Sequence, residues 1–164
     1  MTTYYFYPMT KEYASVICTW KYSAPYSIYS MDDSNECICD LMNDEYFYAL
    51  DSDNQLVGFI CMGGSARVPG GYPTGIYEHI DRRDIGLGLR PDFTGGGKGQ
   101  AFLLQGLDYL KQHHHAHDLQ LVVATFNERA IKVYERTGFV RGTSFMSRIG
   151  NKQVEFLSMT LAGK

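Results

Sequence analysis

The sequence predicts an α/β fold in which helices flank one mixed, open sheet. Three observations predict it. β-prone segments and amphipathic stretches follow the order strand, helices, three strands, helix, strand, helix, two strands. Leu119–Ala124 is a continuous apolar run, the pattern of a central strand covered on both faces. A glycine-punctuated strand, Arg82–Leu89, runs through Pro91 into a glycine loop and then a helix. The chain has 164 residues, which fits a single domain over 1–164.

Taken in order, Tyr4–Tyr7 reads as a strand ended by Pro8. Thr10 is placed to cap a helix over Lys11–Trp20, with Tyr13, Val16, Ile17 and Trp20 on one face. Lys21–Met31 is aromatic and irregular, and a short helix follows at Asn35–Met42, opened by Asp32, Asp33 or Ser34. Glu45–Leu50 and Gln55–Met62 read as a hairpin across the polar turn Asp51–Asn54. Gly63–Thr74, with two Gly-Gly pairs and two prolines, reads as a mobile loop. The helix from Gly97 to about His113 carries Phe102, Leu103, Leu107 and Leu110 on one stripe. Asn127–Thr137 is the next helix, with Gly138 just past its end. Phe139–Ile149 and Lys152–Leu161 form a final hairpin turning at Gly150-Asn151.

A loop such as Thr94–Gln100 can turn several backbone N–H groups toward one point, because glycine takes positive φ freely. The helix behind it adds free N–H groups and the positive end of its dipole. Together they make a site for a phosphate or pyrophosphate. Two known patterns fail on spacing. A P-loop needs Ser or Thr after Gly97-Lys98, where Gly99 stands, and a first glycine where Asp92 stands. The dinucleotide fingerprint would need its third glycine at Gln100 or at Pro91. The pattern [RQ]-x-x-G-x-[GA] matches at Gly97 and Gly99 and departs at Thr94. A second block, N-x-x-A-x-x-x-Y-x-x-x-G-F, is met by Asn127, Ala130, Tyr134, Gly138 and Phe139, with a helix and a strand between the two.

These two blocks, in this order and with the C-terminal strand pair, resemble the GCN5-related N-acetyltransferases (GNAT). The resemblance covers roughly residues 45–161. It implies a central, mostly antiparallel sheet of about seven strands with splayed parallel central strands and about four helices. It also implies acetyl transfer from acetyl-CoA to a primary amine, of a small molecule or a protein, by direct attack in a ternary complex. The pyrophosphate would sit on the main chain of Thr94, Gly95, Gly96, Gly97, Lys98, Gly99 and Gln100. Lys98 either reaches a phosphate or stays solvated. Backbone groups of Leu87, Gly88 and Leu89 would hold the pantetheine arm and, near Leu87, the oxyanion. Gly86 and Gly88 read either as room for that arm or as an ordinary bulge.

An alkyl amine with a pKa of about 10 must lose a proton before it attacks, and a thiolate leaves better when protonated. The resemblance makes Tyr134 the general acid and Asn127 a cofactor contact as well as a helix cap. It does not fix the base: Asp84 on the strand, Glu78 before it, and an ordered water chain all stay open. By strand alternation Asp84 shares a face with Gly86 and Gly88, not with Leu87 and Leu89. Trp20, Tyr26, Tyr29 and Glu78, with the loop Gly63–Tyr77, are candidates for the acceptor wall. A non-catalytic acyl-CoA sensor on the same fold is the alternative, and a nucleotide-binding module is a third.

A net charge of −3 gives no basic footprint for nucleic acid. No apolar run approaches the length of a membrane span. The N-terminus lacks the basic and apolar regions of a secretory signal, so a cytoplasmic protein is expected. Cys18, Cys37, Cys39 and Cys61 lack C-x-x-C spacing and are expected as reduced thiols. His113 and His117 are spaced i, i+4, yet the run ends a helix, where His suits the dipole, and no metal is expected. The resemblance makes a homodimer through the C-terminal strands an assembly to look for.

Overall fold

The computed structural model describes residues 2–94 and 97–163. Seven strands are joined in the order β1-β2-β3-β4-β5-β7-β6: β1 Tyr5–Pro8, β2 Tyr46–Leu50, β3 Leu56–Met62, β4 Arg82–Leu89, β5 Asp118–Ala124, β6 Val140–Ile149 and β7 Lys152–Leu161. Among the described residues there are four α-helices, α1 Lys11–Ile17, α2 Asn35–Leu41, α3 Lys98–His114 and α4 Glu128–Thr137, plus four short 3₁₀ turns. The expected fold class is the one found: a mixed, open sheet whose pairings are antiparallel except for β4 with β5.

The chain forms two compact units, each made of two segments. The first holds Met1–Cys61 and Leu87–Gly106. Its core gathers Ala14, Ile17, Cys18, Trp20, Leu41, Leu50, Leu56 and Phe59. Thr10 caps α1 by accepting from the Tyr13 N–H at 3.3 Å, and Ser34 caps α2 by accepting from Cys37 at 3.1 Å. α1 stops at Ile17, short of the expected Trp20, because the N–H groups of Thr19 and Trp20 bond Val16 and Ile17 carbonyls three residues back. Val16, inside α1, lies 48% exposed rather than on the buried face. Cys18 and Cys37 are joined by a disulfide, which corrects the expectation of four reduced thiols, while Cys39 and Cys61 form no disulfide.

The second unit holds Met62–Gly86 and Leu107–Lys164. β5 pairs β7 from Leu119↔Leu161 to Ala124↔Phe156, and β7 pairs β6 with a shift between Arg141 and Ser144. The segment expected as a mobile loop instead forms 3₁₀ turns at Gly64–Ala66 and Pro69–Thr74. It is tied down where the Gly70 N–H donates to the buried Ser147 hydroxyl on β6 at 2.9 Å. Among the described residues, no helix is long and apolar enough to cross a membrane.

Candidate active site

In the first unit the site begins with the backbone of β4. The Arg90 N–H donates to the Val57 carbonyl at 2.9 Å. In the second, the Asp84 carbonyl accepts from the Gly63 N–H at 2.8 Å. Successive residues of a strand turn their backbone groups to opposite edges. Even-numbered residues of β4 therefore face β3, and Leu87 and Leu89 face the other edge. On that edge the parallel pairing with β5 runs only over Arg82↔Asp118, Arg83↔Leu119 and Asp84↔Gln120. Leu87 and Leu89 lie past its end and present backbone groups that no β5 residue takes in register. The Leu89 carbonyl accepts instead from the Tyr22 hydroxyl at 2.5 Å. Burial pushes the Tyr22 hydroxyl up to about 12.

Gly88 is a matter of packing: a Cβ there would stand 2.5 Å from the Phe59 ring. After Pro91–Phe93 the Thr94 hydroxyl folds back onto the Pro91 carbonyl at 2.8 Å. Gly95 and Gly96 lie outside the described residues. Gly97 has a φ of 76° with nothing within 4 Å of a Cβ position, so the backbone turn alone requires glycine there. α3 then opens at Lys98, with Gly99 and Gln100 half-buried in its first turn and no acidic residue among them. The Lys98 ammonium lies 4.2 Å from the centre of the Phe93 ring, and the Arg90 guanidinium lies 4.0 Å from it. Lys98 and Phe93 also border a cavity of about 550 Å³ shared with Tyr4, Asp51 and Asp53.

Of the expected acceptor wall, Trp20 is a core residue, 6% exposed and tilted against Phe59 at 6.2 Å between ring centres. Tyr26 and Tyr29 occupy a 3₁₀ turn and stay half-buried.

In the second unit Asp84 is 3% exposed and surrounded by donors. Arg67 Nε and Gln120 Nε2 each lie 2.8 Å from its carboxylate, and His79 Nε2 lies 3.2 and 3.4 Å from its two oxygens. Gln120 also donates to the Ile76 carbonyl at 2.8 Å and accepts from Arg82 at 3.4 Å. Burial works to lower the Arg67 pKa, but hydrogen bonds to Asp84 and Tyr72 outweigh it and hold the guanidinium charged. Its face lies 4.9 Å from the Tyr77 ring centre. Glu78, the other candidate base, is exposed. Asn127 caps α4 by accepting from the Ala130 N–H at 3.3 Å, and Gly138 closes the helix at a φ of 114°. Tyr134 sits half-buried on α4, its ring edge-on to Phe139 at 5.9 Å. His113 packs on Tyr109 at 4.7 Å.

The family model described as the acetyltransferase (GNAT) family matches residues 12–139, a span that takes in both sequence blocks. The chain belongs to the GNAT family. Among curated proteins this GNAT chain is 31% identical over 106 residues to the mycothiol acetyltransferase of Salinispora tropica, covering 62% of this chain and 31% of that protein. It is 44% identical over 55 residues to the mycothiol acetyltransferase of Actinosynnema mirum, covering 34% and 18%. The chain thus spans about a third or less of the length of the curated relatives it matches. Among solved structures, a GNAT-family acetyltransferase from Bacillus anthracis superposes with a TM-score of 0.72 at 14% identity over 99% of this chain and 98% of that one. A spermidine/spermine N-acetyltransferase from Vibrio cholerae gives 0.67 at 17%, over 97% and 94%. At such identities the likeness is one of fold.

The sequence pointed to Asp84 but not to its partners. Arg67, His79 and Gln120 are 17, 5 and 36 positions away, and Tyr22 is 67 positions from Leu89. No local spacing announces such contacts. One signal was available: no Lys or Arg occurs between Lys21 and Arg67, so the first cation after that stretch invited a question about its partner.

Proposed function

We propose that this protein transfers the acetyl group of acetyl-CoA to a primary amine by direct attack in a ternary complex. The observation that carries the reading is the family match across both the glycine segment and the Asn127–Phe139 block. The early end of β4–β5 pairing supports it, because it leaves the Leu87 backbone groups and the Leu89 N–H suited to the amides of a pantetheine arm, the Leu89 carbonyl being held by Tyr22. The main chain from Gly97 to Gln100 suits a pyrophosphate: α3 opens there without an acidic residue in its first turn. The bound co-substrate supplies an activated acyl carbon. The chain's own residues orient it through β4, hold the phosphates at α3, and place the Tyr134 phenol as the proton donor for the departing sulfur.

Calorimetry with acetyl-CoA, followed by free-thiol release over a panel of primary amines, tests this. Micromolar binding and thiol release with at least one amine are expected, and no binding at high micromolar acetyl-CoA ends the reading. Tyr134→Phe should lose rate and keep acetyl-CoA affinity. A second reading, an acyl-CoA sensor without turnover, draws support from Asp84, whose carboxylate is fully engaged, and from Glu78, which is exposed. Thiol release by any amine rules it out. We also propose a homodimer through the C-terminal strands. β6 is an edge strand with Val140 and Met146 65% and 53% exposed, and light scattering that gives a monomer mass excludes it.

A further inference from the structure

Resting on that reading, we propose that His79, oriented by Asp84, is the general base that takes a proton from the acceptor ammonium. Asp84 is poorly suited to be the base itself. Its carboxylate is 3% exposed and already engaged by an Arg, a Gln and a His, so little of it is open to a substrate ammonium. What it does is set the state of His79. A carboxylate beside Nε2 requires the proton on Nε2, so the lone pair is on Nδ1. Nδ1 is the one buried side-chain nitrogen or oxygen among the described residues without a hydrogen-bond partner. Buried polar groups in folded proteins are ordinarily paired, and an exception asks for a reason. A lone pair kept without a donor is the form in which a base waits for a substrate proton.

The placement agrees. His79 precedes β4 and touches Asp84, which lies three residues before Leu87 on the same strand. His79 also borders a cavity of about 340 Å³ with Asp81, Arg82, Asp118 and Thr160. The charged and titratable groups around it are Asp84 and Arg82 on β4, Asp81 before it, Arg67 and Tyr77 from the preceding segment, and Asp118 on β5. The acceptor ammonium loses two protons overall. The first N–H bond breaks as Nδ1–H forms, directly or through one water admitted with the acceptor. Asp84 balances the resulting imidazolium, and that proton goes to solvent after product leaves. The second leaves the nitrogen as the amide forms and matches in number the one gained by the coenzyme A sulfur.

The experiment is the pH profile of kcat/KM for wild type, His79→Gln and Asp84→Asn, with acetyl-CoA affinity measured on each by calorimetry. Wild type should show an acid limb. With an alkyl amine, His79→Gln should replace it with a rate that climbs with the free-amine fraction toward pH ~10, and lower kcat/KM near neutral pH by about a hundredfold or more, with affinity for acetyl-CoA unchanged. Asp84→Asn should weaken the same limb. An aromatic amine, already neutral at pH 7, should lose far less in His79→Gln than an alkyl amine does. Should Asp84→Asn fail to fold, nitrogen NMR of wild type reads the tautomer directly: protonated Nε2 and bare Nδ1 support the dyad, and the reverse overturns it. An unchanged acid limb in a His79→Gln protein that still binds acetyl-CoA overturns the dyad alone. A wild type that binds no acetyl-CoA overturns the functional reading and the dyad with it.

Discussion

Single residues here are fixed by what stands opposite them. Phe59 occupies the space where a side chain at position 88 would go, with ring carbons 2.5 and 2.6 Å from the ideal Cβ. Gly88→Ala should therefore cost about 1–3 kcal/mol through displacement of the ring or the strand. Thermal denaturation measures it, and Phe59→Leu in the same chain should recover part of the loss. Asp84 poses a different constraint. Its carboxylate is buried and, among the described residues, Arg67 supplies the one permanent positive charge within 4 Å of it, so Arg67→Met leaves a charge in the interior uncompensated. Breaking such a pair costs about 3–5 kcal/mol when both partners are buried, and the partial exposure of Arg67 places this case near the lower end. Urea unfolding at neutral pH should show it; a midpoint equal to wild type would mean that His79 and Gln120 suffice.

Tyr22 links a residue to pH. Its folded pKa is raised from 10.0 to about 12 by burial. The folded protein keeps the phenol proton to higher pH than the unfolded chain does. The resulting stability is intact below pH ~10 and drains away as pH rises toward ~12. Tyr22→Phe should lose about 1 kcal/mol at neutral pH with the bond to Leu89. It should also show a shallower alkaline decline of the denaturation midpoint than wild type. Parallel alkaline curves would show that Tyr22 titrates as it does in the unfolded chain.

At the scale of elements, β4 is an interior strand whose two edges differ. Even-numbered residues are committed to β3, whereas pairing with β5 stops at Asp84. Amide hydrogen exchange should register this. Saturating acetyl-CoA should slow exchange at Leu87, Leu89 and the first turn of α3, and leave the middle of β7, paired on both sides, unchanged. Protection confined to any other element would move the cofactor site away from β4. Among the helices, α4 was legible because its signals are local: Asn127 caps it and Gly138 ends it. α1 was legible only at its start. Thr10 is a local signal, but the end at Ile17 is set by Trp20 turning into the core cluster, which no pattern within Lys11–Trp20 encodes. The Gly63–Thr74 segment reads as mobile in the sequence for the same reason: its anchor, Ser147, lies far along the chain.

For the whole molecule, the strand order and the two motif blocks could be read ahead of the coordinates, because hydrophobic period and glycine spacing are short-range. The environment of Asp84 could not, since it is assembled from three separated segments. The disulfide is the plainest long-range miss: Cys18 and Cys37 have no spacing that marks a pair, and only the approach of the α1 end to α2 joins them. Its effect belongs to the entire chain, because a cross-link acts largely by limiting the unfolded ensemble. Closing a loop of 19 residues is worth about 3 kcal/mol in the chain-entropy account. For a chain of this size that corresponds to roughly 6–12 °C in Tm. Oxidised protein unfolded in denaturant should expose two reactive thiols, Cys39 and Cys61, and four after reduction. Reduction, or Cys37→Ser, should lower Tm by that margin. Four thiols before reduction would place the two sulfurs in contact without a bond, and the Tm difference would vanish with it.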